Sequence, residues 1–249
     1  MERDYTLEYL NTIHTKLQEI YDTQKESIRR CAEIIANKIQ EENGLLYVFG
    51  SGGHSSMMCE EMFHRAGGFA CVSPLFVDSI RMPHIPMGER CPDLAPYIFD
   101  FYGMKKGDLL LLVNGYGINP ITIESFLEAQ RRGITVIAVT SCEYANTLPK
   151  DFKGRHPSGL NLHEIAENVI LTNVPYGDGI IKIDGVDSVT GAYSTYCNAF
   201  VCNSLVLEAS RILVERGIEP PIISSINTAD GMEKNQKLYA KYRPLIRYL

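Results

Sequence analysis

A glycine turn that ends in hydroxyls, "GSGGHSS" at 50–56, is the stretch of this chain whose residue types point most directly to chemistry. It follows the apolar run "LLYVF" at 45–49, and a helical pattern begins behind it. Such a turn gathers backbone N–H groups, small hydroxyls and a helix N-terminus around one point, which suits a phosphate or a carboxylate. The residues predicted to bind this anion are Ser51, Gly53, His54, Ser55 and Ser56.

A purely structural role for these glycines is the alternative, in a tight strand-to-helix turn with Ser55 or Ser56 as an ordinary N-cap. Nucleotide motifs do not fit the turn. The Walker pattern needs a lysine that this loop lacks. A dinucleotide fingerprint needs glycine at Ser55 and an acid ~20 residues later, where "FACVSPLF" at 69–76 has none. We therefore expect no cofactor, and a small molecule that carries a phosphate monoester as the ligand.

The composition bounds the class of protein. With 249 residues and 45% apolar side chains, the chain is long enough for one large α/β domain with an added arm. A net charge of -6 without a local basic run disfavours nucleic acid as a partner. The chain shows no N-terminal signal pattern and no run of ~18 apolar residues, so we expect neither export nor a membrane span. Seven cysteines without a Cys-x-x-Cys spacing fit the reducing cytoplasm.

Four continuous apolar segments predict the strands of a parallel sheet that is covered on both faces. They are "LLYVF" (45–49), "DLLLLV" (108–113), "ITVIAVT" (134–140) and "NVILTN" (168–173). Between the second and the third lies an amphipathic helix, "NPITIESFLEAQRRG", which Gly133 should end. This alternation predicts a doubly wound α/β fold, with its site at the carboxyl ends of the strands.

An N-terminal helical arm is predicted over residues 1–43, because apolar residues recur at three- and four-residue steps from Leu7 to Ile39. The apolar stripe of this arm needs a partner, either its own domain or a second subunit. Since the stripe is longer than one such domain usually needs, we expect a homodimer or a larger homo-oligomer. The alternative is an arm that folds back on its own core.

Two long loops interrupt the alternation of strands and helices. Residues 81–103 are rich in proline and charge, which predicts a long connection with at most one short helix. Residues 141–161 follow the carboxyl end of a strand, so we expect them to lie over the site.

The chain from Leu45 to about Asn235 resembles the sugar-isomerase (SIS) domain family. The glycine turn resembles the first phosphate-binding loop of the family, and residues 107–141 resemble its strand, loop, helix and strand core. "HPSGLNLHEIAENVILTN", "YGD" and "EPPIISSINTADGMEKN" resemble a bacterial branch of sugar-phosphate isomerases. The resemblance implies a SIS domain at 44–249 with a five-stranded, flavodoxin-like parallel sheet. It also implies a sugar phosphate bound at the strand ends, and a dimer or higher oligomer.

The second loop departs from the pattern of that family. Its members carry Ser-x-Ser-Gly-x-Ser/Thr, whose hydroxyls hold the phosphate, whereas this chain has "NGYGIN" at 114–119. The resemblance makes Asn114, Tyr116 and Asn119 candidates for substrate binding. Loss of the compact donors could weaken phosphate binding by a few kcal/mol, at about 1–3 per unsatisfied group. Either the ligand is altered or the site has decayed.

Proton transfer beside a carbonyl needs a carboxylate or an imidazole within hydrogen-bond reach of the carbon acid. Glu61 lies in the helix behind the first loop, and we favour it over Glu60 as the base. The alternative is an ion pair of Glu61 with Arg65 on the helix surface. His156, in the loop over the strand ends, is the candidate for ring opening by proton transfer.

The resemblance adds further candidates. Glu208 matches a region where related isomerase domains carry a glutamate base, and Ser194 and Thr195 open a helix whose N-terminus would bind the sugar. Some phosphoheptose isomerases of the family bind zinc through a His-x-x-x-Glu pair on the helix behind the first loop. This chain has that pair reversed, as Glu60 and His64, and we assign no metal site to it.

These observations predict a protein that binds a phosphorylated sugar or amino sugar and isomerises it between aldose and ketose. Two alternatives remain open. One is a non-catalytic sugar-phosphate sensor or binding module, and the other is an etherase-type lyase that uses the same loop and a glutamate.

Overall fold

Five parallel strands form the central sheet of the structure, a computed structural model that describes residues 3–81 and 88–249. The strands are β1 (Leu46–Gly50), β2 (Val72–Pro74), β3 (Leu109–Val113), β4 (Thr135–Thr140) and β5 (Asn168–Leu171). Their order in the sheet is β2-β1-β3-β4-β5, the flavodoxin-like arrangement. Every residue of β1, β2 and β3 is buried, as expected for strands that helices cover on both faces. The predicted doubly wound α/β fold is confirmed.

Eight α-helices lie in the described part of the chain. They are α1 (Tyr5–Ile39), α2 (Met57–Met62), α3 (Ala95–Phe101), α4 (Pro120–Arg132), α5 (Glu143–Thr147), α6 (Leu162–Ile165), α7 (Ser194–Glu215) and α8 (Gly231–Tyr242). Two 3-10 turns lie at His54–Ser56 and Gly88–Arg90. Gly133 ends α4 as predicted, with a φ of 71° that favours glycine.

The N-terminal arm is one continuous helix, α1, capped by Asp4, whose side chain accepts a 2.9 Å hydrogen bond from the N–H of Leu7. It packs along α7 and against β5 of its own domain. Its buried apolar residues are Ile13, Ile20, Ile28, Cys31, Ala32, Ile35, Ala36 and Ile39. The stripe is therefore covered mainly within the chain, whereas we expected it to call for a second subunit. Only its first members, Leu7 and Leu10, are exposed.

Helix α7 is apolar around most of its circumference. By length and composition it could cross a membrane, but half of its most apolar stretch is buried inside the domain. Burial of this kind is typical of the core helix of a soluble protein. On its outer side Leu207 and Val214 are exposed.

A two-stranded antiparallel sheet of β6 (Gly179–Lys182) and β7 (Val189–Ala192) was not among the predicted elements. It rests on the start of α1, where the Tyr9 hydroxyl donates a 2.6 Å hydrogen bond to the backbone oxygen of Ala192. Such a short ribbon depends on packing for its stability, so its sequence carries a weak signal.

The first of the two long loops lies partly outside the described residues, which resume at Gly88. Its described part holds the 3-10 turn at Gly88–Arg90 and the seven-residue α3. The second loop contains α5 and then a series of turns up to α6.

Candidate functional site

A cavity of about 290 Å³ opens at the carboxyl ends of β1 and β3. The strand order reverses between these two strands, and open α/β sheets bind their ligands at such a point. Wider grooves along α1 and beside α8 do not include these strand ends. The residues that line the cavity are Gly52, Gly53, His54, Ser55, Glu89, Arg90, Asn114, Gly115, Tyr116, Ile118, Asn119, Tyr144, Phe152, Gly154, Asp178 and Ser194.

The first loop turns sharply away from β1. Gly50 is required there, because a Cβ on it would lie 1.9 Å from the backbone oxygen of Ser55. The turn is closed by Ser56, whose N–H donates to the oxygen of Gly52 at 2.8 Å and whose hydroxyl donates to the oxygen of Gly53 at 2.6 Å. This arrangement leaves Gly53, His54 and Ser55 on the cavity wall.

The second loop is held by the side chain of Asn114. Its Oδ1 atom accepts hydrogen bonds from the N–H groups of Tyr116 (3.0 Å) and Gly117 (2.8 Å), and its Nδ2 donates to the backbone oxygen of Ser51 at 2.8 Å. The N–H of Gly115 donates to Ser55 Oγ at 3.2 Å. Three successive N–H groups of this loop therefore already have acceptors within the protein.

Asn119 has a similar structural role. Its Nδ2 donates to the same Ser51 oxygen at 3.1 Å, and its Oδ1 caps α4 by accepting from the N–H of Thr122 at 3.1 Å. We expected the two amides, Asn114 and Asn119, to donate to the ligand. Because a carboxamide carries both donors and an acceptor, each one bridges protein groups instead, although both still lie on the cavity wall.

The start of α7 is occupied by a carboxylate of the protein itself. Asp178 Oδ1 accepts from the N–H groups of Tyr193 (3.1 Å) and Ser194 (2.7 Å), and its Oδ2 accepts from the Ser194 hydroxyl at 2.9 Å. A negative group at a helix N-terminus is stabilised by the helix dipole. The donors that we predicted would bind the sugar at Ser194 are therefore already engaged by Asp178.

Glu89 and Arg90 approach the cavity from the 3-10 turn at Gly88–Arg90, which packs against α4. Gly88 allows this packing, since a Cβ on it would lie 2.0 Å from the backbone oxygen of Ser79. Glu89 Oε2 lies 3.4 Å from the position that a Cβ on Gly52 would take, so its carboxylate faces the first loop. Among the lining residues that the structure describes, Arg90 is the one Lys or Arg.

Three tyrosines, from the loop after β3, from α5 and from the loop after β5, stack beside the cavity. The ring centroids of Tyr116 and Tyr144 are 3.8 Å apart, and those of Tyr144 and Tyr176 are 5.2 Å apart. Burial, with the nearby charges of Asp178 and Glu89, raises the pKa of Tyr116 well above its ordinary value of 10.0. Its phenol therefore stays protonated at neutral pH and is available as a hydrogen-bond donor.

Comparison with known proteins decides the family. The family model described as "SIS domain" matches residues 8–141. A UPF0309 protein of Thermoanaerobacter pseudethanolicus is 35% identical over 98% of this chain and 99% of its own length. A UPF0309 protein of Caldanaerobacter subterraneus is 34% identical over 97% of this chain and 98% of its own.

The chain belongs to the SIS domain family.

Two solved structures share this SIS fold. The NanR protein of Vibrio vulnificus, complexed with ManNAc-6P, has a TM-score of 0.53 and is 15% identical, and the match covers 99% of this chain and 71% of that one. The phosphoheptose isomerase GmhA of Neisseria gonorrhoeae has a TM-score of 0.50 and is 15% identical, with coverage of 83% and 96%. At these identities the likeness shows the fold alone.

The SIS cavity brings together seven of the ten binding residues predicted from the sequence. Those seven are Gly53, His54, Ser55, Asn114, Tyr116, Asn119 and Ser194. The other three lie outside its lining. Ser51 is fully buried, with Oγ 2.7 Å from Thr122 Oγ1, the Ser56 hydroxyl closes the first loop, and Thr195 is half-buried.

None of the three predicted catalytic residues lines the cavity of the SIS domain. Glu61 forms an ion pair with Arg65 at 3.0 Å and accepts a 2.9 Å hydrogen bond from Asn203, so it faces α7. The helix behind the first loop, α2, ends at Met62, one residue after Glu61. Glu208 is paired with Arg211 at 3.0 Å on the outer side of α7.

His156 lies close to the site but outside its lining. Its Nδ1 is 2.7 Å from Ser158 Oγ, and its Nε2 is 3.9 Å from Glu124 Oε1. The reversed pair of Glu60 and His64 is also separated, because His64 lies beyond the end of α2 with a φ of 49° and Glu60 pairs with Arg81. Among residues 3–81 and 88–249, no three His, Cys, Asp or Glu side chains are placed to hold a metal.

The sequence analysis missed several lining residues of this SIS site. Glu89 and Arg90 lie in a loop that we interpreted only as a connection, and no local pattern indicates that it reaches the cavity. Asp178 was included in the "YGD" segment but without a role. The second long loop was predicted to lie over the site, and it does contribute, through Tyr144, Phe152 and Gly154.

Proposed function

We propose that this SIS domain binds a phosphorylated sugar or amino sugar in the cavity and interconverts its aldose and ketose forms. The observation that carries the proposal is the position of the cavity. It lies where the strand order reverses, between the glycine loop after β1 and the loop after β3. A polar cleft of this size suits one small ligand rather than a polymer.

The phosphate would be held by the first loop. The opening N–H groups of a helix have no partner within it, and Gly53, His54 and Ser55 stand at this position on the cavity wall. The Ser55 hydroxyl accepts from Gly115, and its own hydrogen can still be donated to a phosphate oxygen. Arg90 would supply the positive charge. The second loop would support this arrangement without donating its N–H groups.

The sugar end would then lie between Tyr116, Glu89 and Asp178. Carboxylates accept hydrogen bonds from sugar hydroxyls, and the protonated phenol of Tyr116 can donate to a carbonyl or a developing oxyanion. The two structural neighbours also support a phosphosugar as the ligand. One is a phosphoheptose isomerase, and the other is complexed with ManNAc-6P.

A ligand screen tests this function. Sugar phosphates and amino-sugar phosphates are each added to the purified protein, and the melting temperature is followed, because a ligand that binds the native state raises it. Compounds that stabilise the protein are then incubated in deuterium oxide and examined by NMR. Isomerisation predicts incorporation of solvent deuterium at C1 or C2 and growth of the second sugar. Unphosphorylated sugars are the control.

The same screen separates the alternatives. Stabilisation without deuterium incorporation would identify a sensor. The observation that favours a sensor is that the N–H donors of the second loop already have acceptors within the protein. Release of an acid from an ether-bearing sugar phosphate would identify a lyase. Failure of every phosphorylated sugar to stabilise the protein would reject the proposal.

For the surroundings of the protein we propose a cytoplasmic location and assembly into a homodimer or larger homo-oligomer. The cysteine content supports the first, because no disulfide joins the seven cysteines. The exposed apolar side of α7 supports the second. We also propose the domain boundary of the sequence analysis, with an arm at 1–43 and the SIS domain at 44–249.

A further inference from the structure

Two carboxylates line the cavity in the part of the chain that the structure describes, Glu89 and Asp178. They differ in what surrounds them. Asp178 accepts from two backbone N–H groups and from the Ser194 hydroxyl, and this capping of α7 uses both of its oxygens. A base needs a lone pair that can reach the proton it removes. Asp178 is therefore suited to hold the cavity wall in place.

Glu89 is placed differently. Its turn is anchored by Gly88, packed against the Ser79 backbone, and by contact with α4, so the carboxylate has a defined position. Its Oε2 atom faces Gly52 at the first loop. No described residue holds its oxygens in the way that Tyr193 and Ser194 hold those of Asp178. The carboxylate is half-buried, so it is reachable from the cavity.

Tyr116 lies near the same carboxylate. Tyr116, Glu89 and Asp178 line one cavity, so the three groups border the same space. Burial, and then the negative charges of Asp178 and Glu89, raise the pKa of the Tyr116 phenol. A protonated phenol and an available carboxylate beside one sugar make a donor and base pair, the combination that proton transfer next to a carbonyl requires. Neither Glu61 nor Glu208 has such a neighbour in the cavity.

We propose that Glu89 is the base of the isomerisation and that Tyr116 donates a hydrogen bond to the carbonyl oxygen; this rests on the proposed function. In the aldose-to-ketose direction Glu89 takes the proton from C2. The electron pair of that C–H bond forms the C1–C2 double bond, and the carbonyl electrons move to O1. The O2 hydroxyl proton is transferred to O1, and Glu89 returns its proton to C1. The ketose is complete, with no other reactant.

The test compares Glu89→Gln with the wild-type protein on the sugar phosphate that stabilises it most. Gln keeps the shape of the side chain but cannot take a proton, so deuterium incorporation and turnover should fall about 10²-fold or more. The ligand-induced rise in melting temperature should persist, which shows that the variant is folded and binds. Glu89→Asp keeps a carboxylate on a shorter side chain and should recover part of the lost rate.

Glu143→Gln is the matched control, because Glu143 is exposed on α5 next to Tyr144 but does not line the cavity. Its rate should match that of the wild type. Unchanged deuterium incorporation in Glu89→Gln would overturn the assignment and leave the isomerase function intact. Loss of incorporation in Glu61→Gln or Glu208→Gln, while Glu89→Gln stays active, would do the same. A wild-type protein that neither binds nor exchanges would overturn the proposed function, and the assignment with it.

Discussion

The side-chain nitrogen of Asn114 donates a 2.8 Å hydrogen bond to the backbone oxygen of Ser51, and this bond joins the loop after β3 to the loop after β1. The same side chain accepts from the N–H groups of Tyr116 and Gly117. One amide thus shapes the second loop and fastens it to the first. Asn119 donates to the same Ser51 oxygen at 3.1 Å, so two amides join the loops on either side of the cavity.

We expect Asn114→Ala to lower the free energy of unfolding by about 1–3 kcal/mol, because it leaves buried backbone groups without partners. Urea denaturation measures the loss. Asn146→Ala is the control, since Asn146 is an exposed asparagine on α5 and a surface change of this kind should stay within about 0.5 kcal/mol. Equal stability of the two variants would show that the bridge does not stabilise the loops.

Gly117 is expected to be more sensitive to alanine than other glycines with positive φ. A Cβ on Gly117, whose φ is 64°, would lie 2.5 Å from Thr140 Oγ1 and 3.0 Å from Leu162 Cβ. Gly159 has a similar φ of 70° with no atom within 4 Å of its Cβ position, so Gly159→Ala measures backbone strain alone, about 1 kcal/mol. Gly117→Ala should cost about 1–3 kcal/mol more. Denaturation of both variants gives the difference, and equal losses would contradict the steric argument.

The Asp178 carboxylate is expected to stabilise the N-terminus of α7 by occupying the position that an anion from solution would otherwise bind. Asp178→Ala removes the acceptor of three hydrogen bonds and should lower the free energy of unfolding by about 1–3 kcal/mol. Asp187→Ala, an exposed aspartate of the β6–β7 connection, should have little effect. Sulfate should then raise the melting temperature of Asp178→Ala more than that of the wild type. An equal response would show that the vacated helix start does not attract an anion.

Acid should weaken the protein partly through Glu128. This side chain accepts from Arg131 (2.7 Å) and Arg132 (2.6 Å), and these hydrogen bonds, that of Arg131 foremost, hold its pKa below the ordinary 4.5. Its folded pKa is depressed, so its contribution is present above pH 4.5 and is lost as the pH falls through the folded value. Urea denaturation across this pH range should show a smaller loss of the free energy of unfolding in Glu128→Gln than in the wild type. The exposed Glu167→Gln should follow the wild type, and parallel curves for all three would refute the linkage.

Light scattering at micromolar concentration should show a dimer or a larger assembly, with α7 in the contact. Leu207 is 71% exposed on that helix, and Leu207→Lys should shift the mass toward the monomer. Tyr97→Lys on α3 is the control, because Tyr97 is equally exposed, at 72%, on another surface. A monomeric wild-type protein would refute the assembly, and an unchanged mass in Leu207→Lys would place the contact elsewhere.

The sequence by itself determined four of the five strands, β1, β3, β4 and β5, and the position of the cavity at their carboxyl ends, whereas the three-residue edge strand β2 was not among the predicted segments. Continuous apolar runs indicate strands buried on both faces, and the glycines of the first loop indicate a sharp turn beside a helix start. Both signals are local, because each depends on residues a few positions apart. The parallel order follows from the alternation of strands and helices, and it brings the loops after β1 and β3 together.

Only the tertiary structure decided which groups are free to bind. The side-chain amide of Asn114 could donate to a ligand or to Ser51, and the amino-acid sequence does not distinguish these two partners. Asp178 reaches the start of α7 across the β6–β7 ribbon, and Glu89 reaches the cavity from a loop without a motif. Glu61 is near the first loop in sequence, yet it faces α7. A side chain bonds to the groups that lie within reach in space, and those distances are set by how strands and loops pack.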